Sequence, residues 1–155
     1  MHDLIREHAR VLADRLDPDR DRDDATTRLL DYYQHTAARA DTLTRRQTRP
    51  ALVPADGTSL AAVPALPGRE QALAWTRSER ASLLACLDHA TRNGQDARVI
   101  GLTATLADLL RRDGPWADAI TRQTTALEAA RHLGDRLGQA NALNYLGDLG
   151  RLTGD

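Results

Sequence analysis

Cys86 and His89 stand three residues apart, a spacing that puts a thiol and an imidazole on one face of a helix. Such a pair can serve as two metal ligands or as a nucleophile with its base. Either chemistry needs further groups. No second ligand pair, no Asp or Asn partner and no oxyanion-type glycine turn accompanies the pair, so a small buried thiol beside a surface His is expected. His2 and His8 are six apart and share no helix face well, and His35 and His132 each sit alone. Two acid–base pairs are more regular. Asp108/Arg111 and Asp148/Arg151 share the i,i+3 spacing and lie 40 positions apart, each predicting an ion pair along its own helix.

The elements that carry these residues read as helices throughout. Leu4, Ile5, Ala9, Val11, Leu12 and Leu16 trace one stripe that ends at Asp17-Pro18. The next stretch, DPDRDRDD, reads as a polar linker whose last Asp caps a second helix running from Ala25 to about Gln47. Residues 48–68 then hold four of the six prolines, have no period and predict a long Pro-rich loop. From Arg69 the helical pattern resumes, with a bend near Ser78 and a stop at Asn93-Gly94. Further helices are predicted at about 96–113, 116–133 and 136–153, separated by Asp113-Gly114-Pro115 and Gly134-Asp135. Trp75 and Trp116 read as packing anchors between helices. No segment reads as a strand, and the expected class is all-α.

Composition excludes several kinds of function. The chain has 155 residues, a net charge of −1 and no charge asymmetry between residues 1–50 and the rest. A nucleic-acid binder would show a basic face; only Arg45-Arg46-Gln47-Thr48-Arg49 hints at one, so direct nucleic-acid binding is not expected. Cys86 is the sole cysteine, which precludes an internal disulfide and fits a reducing, cytoplasmic setting. No apolar run approaches the ~18 residues of a membrane helix, so no membrane partner is expected. All 21 basic residues are Arg, and Phe is absent. The core must therefore rest on Leu, Ala, Val and Ile, small side chains that suit closely stacked helices.

An internal repeat underlies the second half. LADLLRRDG (106–114) lies over LGDLGRLTG (146–154) with five identities at an offset of 40, and Ala107/Gly147 keeps a small residue. These residues resemble the tetratricopeptide repeat, which sets a Leu and a small residue in its first helix, a Gly at the turn, and an aromatic with two alanines in its second. The chain supplies Leu106, Ala107, Gly114, Trp116, Ala119 and Ala126, and starts again at Leu143, Leu146, Gly147 and Gly154. It departs from the pattern in its period of 40 against ~34, in Gln123 at a bulky apolar position and in Gly150 at a common Tyr. LGDRLGQANALNYLG (133–147) is similar to the linker of longer repeats of this type. By this resemblance, Asp108, Arg111, Asn141, Asn144, Asp148 and Arg151 would line a polar concave groove for a peptide. The second repeat would end before its second helix, which predicts an uncapped last helix and a chain that stops mid-unit.

The first half has a resemblance of its own. Met1-His2-Asp3 heads a helix, LIREHARVLA, and is followed by LLDYYQHTAARAD (29–41), the Pro-rich loop and ALAWTRSERASLLA (72–85). This order resembles bacterial NB-ARC/STAND-type signal-transduction ATPases, in which a Met-His-Asp motif closes a winged-helix subdomain and its His contacts the phosphate of ADP. His2 would be that sensor. The phosphate loop G-x-x-x-x-G-K-[ST] and the acidic strand that hold ATP and Mg²⁺ are absent from the sequence. No cofactor is therefore expected in this chain, although the full-length family uses ATP and ADP.

Together the resemblances imply a helical array in three parts: 1–24, the end of a winged-helix segment and a linker; 25–93, a helical connector with the Pro-rich loop; and 94–155, tetratricopeptide-like repeats. The implied function is a non-catalytic sensor and scaffold of a nucleotide-switched transcriptional regulator, engaging a protein or peptide partner or the missing nucleotide-binding domain. The alternative is a free-standing tetratricopeptide adaptor that binds a peptide in its concave groove.

Overall fold

The computed structural model describes residues 2–44 and 64–154. Among them are seven helices and no strand: α1 (His2–Leu16), α2 (Asp19–Thr44), α3 (Arg69–Ser78), α4 (Arg80–Arg92), α5 (Asp96–Asp113), α6 (Trp116–His132) and α7 (Arg136–Thr153). The class is all-α. Two compact units divide the chain, Met1–Tyr32 and Tyr33–Asp155.

In the first unit, α1 carries its apolar residues on a face that is solvent-exposed at Leu4, Ile5, Leu12 and Leu16. Pro18 breaks the helix because a proline nitrogen cannot donate into the ladder. The predicted linker is not one: α2 starts at Asp19, six residues before Ala25. Asp19 and Asp21 occupy its first turn, where carboxylates oppose the positive end of the helix dipole. Arg22 pairs with Asp19 and donates from Nη1 to the Ala13 carbonyl at 3.3 Å, tying the turn closed. A run of alternating Asp and Arg reads as solvated coil, yet these i,i+3 partners support a helix. At its other end α2 is described to Thr44; the predicted extension to Gln47 lies outside the described residues.

In the second unit, short turns join α4 to α5, α5 to α6 and α6 to α7. α5 packs on α4 and α6, α6 packs on α7, and α5 also touches α7. The bend expected near Ser78 is at Glu79, where the ladder continues through Glu79 N–H to the Trp75 carbonyl (2.9 Å) and Leu83 N–H to Glu79 (2.8 Å). Tyr33 fixes this joint by donating to Glu79 Oε2 at 2.9 Å while its ring leans on Trp75, with centroids 6.5 Å apart. Leu66 and Ala72 pack with Ala40 beside them, and so the end of the Pro-rich loop is held against α2 and α3.

Leucines and alanines fill the centre as the composition requires. Leu83, Leu87, Leu102, Leu106, Leu110 and Leu149 are all below 2% exposed. Burying each such side chain contributes about 1.5–3 kcal/mol, before the chain entropy that opposes it. Ala90 and Ala130 are fully buried and stand 40 residues apart, where a larger side chain would hold neighbouring helices off.

The backbone repeats with the same period. α5 and α7 share both boundaries at an offset of 40. Gly94 and Gly134 end α4 and α6 at φ 61° and 67°, a left-handed conformation that costs a residue with a Cβ about 1–2 kcal/mol. Gln95 N–H bonds to the Ala90 carbonyl and Asp135 N–H to the Ala130 carbonyl, both at 2.9 Å, which is the long bond of a Schellman turn. The turns differ in one respect: Asp135 caps α7 by accepting from Gly138 N–H at 2.9 Å, whereas Gln95 gives α5 no side-chain cap.

Candidate functional site

The polar residues singled out from the repeat fall on α5 and α7. On α5, Asp108 lies 3.6 Å from Arg111 Nε and accepts from the Tyr145 hydroxyl of α7 at 3.4 Å. Asp108 also lines a notch of about 30 Å³ with Asp41, Thr76, Arg77 and Asp113, room for a single water. On α7, Asp148 pairs with Arg151, Asn141 is half-buried and Asn144 is exposed. Each acid–base pair thus closes along its own helix, and Tyr145 is the side chain that links α7 to Asp108. Tyr145 is 2% exposed, a buried aromatic whose hydroxyl finds an acceptor on the neighbouring helix.

Comparison of the twin helices locates the open surface. Ile100, Thr103 and Ala107 of α5 are buried; their counterparts Ala140, Leu143 and Gly147 of α7 are exposed. Thr103 is 1% exposed, whereas Leu143 is 54% exposed. These three positions follow one another at 3 and 4 residues and form one helical stripe. With Asn144 and Arg151 beside it, the stripe offers apolar area and hydrogen-bonding groups together.

A second polar cluster lies on the opposite partners of α5. The Arg122 guanidinium of α6 donates from Nη1 to Asp88 of α4 at 2.7 Å and from Nε to Asp118 of its own helix at 2.9 Å. Burial alone would lower the Arg122 pKa, but the hydrogen bonds and charges of Asp118 and Asp88 outweigh it and raise the value above the usual one. The i,i+4 spacing of Asp118 and Arg122 was visible in sequence; Asp88, 34 residues away, was not.

The thiol of the Cys86/His89 pair is buried. Cys86 is 6% exposed, and burial pushes its thiol pKa up, with the Arg98 charge pulling weakly the other way. A nucleophilic cysteine needs the thiolate. His132 is not isolated, since its Nδ1 lies 3.5 Å from Asp96. Trp75 packs as an anchor, whereas Trp116 is 41% exposed and its indole N–H donates to the Arg111 carbonyl at 3.2 Å. Trp116 therefore satisfies a carbonyl at the end of α5, an additional role that spacing did not reveal. His2 and Asp3 belong to α1 by their backbone; their side chains, like Met1 and the basic run 45–49, lie outside the described residues. The Pro-rich stretch 48–68 is described only from residue 64.

Among the described residues no helix is long and apolar enough to cross a membrane, and no three His, Cys, Asp or Glu side chains gather as a metal-binding group. No family model, curated protein or solved structure matches the chain.

Proposed function

We propose that the chain is the non-catalytic helical sensor and scaffold region of a nucleotide-switched, cytoplasmic transcriptional regulator, working through tetratricopeptide-like hairpins that dock another protein segment. The observation that supports this most is the 40-residue repeat of helix, Schellman turn and helix in the backbone. Hairpins of this kind cannot bury their apolar faces alone and do so by stacking on a neighbour. The stripe Ala140, Leu143 and Gly147 is the face that such a neighbour would cover, since the matching stripe on α5 is buried. A fitting partner is an amphipathic helix with small residues toward α7, as α6 brings Ala119, Ala126 and Ala130, all buried, into the hairpin stack.

The nucleotide side of the reading rests on resemblance alone. This chain's residues offer no phosphate cradle, so no nucleotide chemistry is assigned to it. Reading the DNA that flanks the coding segment tests the proposal. It predicts an in-frame phosphate-loop domain upstream and further 40-residue repeats downstream. An open reading frame that starts at Met1 and stops at Asp155 would sink the regulator and leave the free-standing adaptor.

A further inference from the structure

α4 and α6 correspond at the offset of 40, as α5 and α7 do. Cys86 and Ala126, Leu87 and Leu127, and Ala90 and Ala130 occupy matching places, and all six are buried. Each helix sets an acid one residue after its leucine, Asp88 on α4 and Glu128 on α6. The two acids meet different surroundings. Asp88 accepts from Arg122 Nη1 of α6 at 2.7 Å. Glu128 is exposed and takes no hydrogen bond or ion pair among the described residues.

Arg122 marks how a helix sits on the pair before it. α6 packs on α5, and its arginine reaches past α5 to the acid of α4. The groove that these three helices enclose is lined by Leu87 and Asp88 of α4, Val99 and Thr103 of α5, and Asp118 and Arg122 of α6. On α6 and α7 the places of Leu87, Asp88 and Thr103 are held by Leu127, Glu128 and Leu143. Leu143 is exposed where Thr103 is buried, so this half of the groove stands open. It keeps an apolar floor and a carboxylate at its edge.

The remaining charges on that edge suit a helix built like α6. Arg131 stands where α4 has Thr91, and His132 where it has Arg92. In the closed groove Arg92 and Asp118 line the same cavity. An acid at the Asp118 place of an incoming helix would therefore meet a basic edge, four residues before the arginine that meets Glu128. This order of charges restricts the register in which the helix can lie.

We infer that the open face of α6 and α7 docks an amphipathic helix that turns small residues to α7 and carries an Asp-x-x-x-Arg pair, with the arginine seated on Glu128. The inference rests on the stacking reading proposed above and adds to it the charges that select the occupant.

The test extends the full chain with a second copy of residues 116–155 after Asp155, which puts the copy's Arg122 at the place that faces Glu128. Thermal unfolding is followed for this chain and for the parent. Glu128→Gln should leave the Tm of the parent unchanged and lower that of the extended chain by about 1–3 °C. Arg122→Met in the copy should lower it as well, and Glu128→Gln added to that variant should cost nothing further. The loss on Glu128→Gln should fade in about 1 M salt. An extended chain that unfolds in one transition yet ignores Glu128→Gln, loses no more than the parent, or loses further on top of Arg122→Met would overturn the inference and leave stacking intact. A copy digested as an unfolded tail would overturn the stacking reading itself, and the inference with it.

Discussion

Gly94 and Gly134 close the same turn 40 residues apart, at φ 61° and 67°, each followed by a residue whose N–H reaches back five positions at 2.9 Å. Local sequence around them differs, Asn93-Gly94-Gln95 against Leu133-Gly134-Asp135, so the turn is set by the glycine and by the helices on either side. The pair turns a sequence period into a structural one.

Two glycine substitutions should move stability in opposite directions. Gly134→Ala places a Cβ in the left-handed region and is expected to cost about 1–2 kcal/mol, although nothing lies within 4 Å of that Cβ. Gly147→Ala sits within α7 with open space around its Cβ and is expected to stabilise by roughly 0.5–1 kcal/mol. Urea midpoints of the two variants check this. Equal effects would mean that Gly134 is not held at positive φ in solution.

Arg122 ties α4 to α6 through Asp88, and its side chain is 17% exposed. Arg122→Met keeps the stem but leaves both carboxylates without their donor, and should cost about 1–3 kcal/mol. Asp88→Asn, at a far more exposed position, should cost under about 1 kcal/mol. A double-mutant cycle measures the coupling directly, and an Arg122→Met variant as stable as the parent would remove the clip from the account.

Cys86 should behave as a core residue. Its folded pKa lies above the unfolded value of about 8.5. The native state therefore holds a proton that the unfolded chain gives up. The stability this contributes is complete below the unfolded pKa and declines as pH rises through the folded one. Tyr33, raised first by burial, acts in the same sense above about pH 10. Iodoacetamide at pH 8 should modify Cys86 only after denaturant is added, and Cys86→Ala should flatten the alkaline loss of stability. Rapid labelling of the folded protein would restore the thiol as a candidate nucleophile.

The repeat half was legible because glycines mark its turns. The bounds 96–113 and 136–153 stand as expected, and α6 ends at His132, one residue before the expected limit. The DPDRDRDD stretch was not legible as helix, because its support comes from ion pairing within the turn and from Arg22 reaching the Ala13 carbonyl. Sites formed between helices were the least legible. Asp88 meets Arg122 only once α4 and α6 have packed on α5. Tyr145 reaching Asp108 is of the same kind. Chain spacing carries i,i+3 and i,i+4 relations and says nothing of pairs 34 or 37 residues apart.

The central claim is that the hairpins are one repeating unit and that α7 presents the face on which the next unit docks. Its most direct test appends a second copy of residues 116–155 after Asp155 and measures thermal unfolding and protease resistance. Nearest-neighbour stacking predicts one cooperative transition with Tm raised by about 5 °C or more, a gain cancelled by Gly147→Arg in the first copy. An unchanged Tm, with the appended copy digested as an unfolded tail, would contradict the claim.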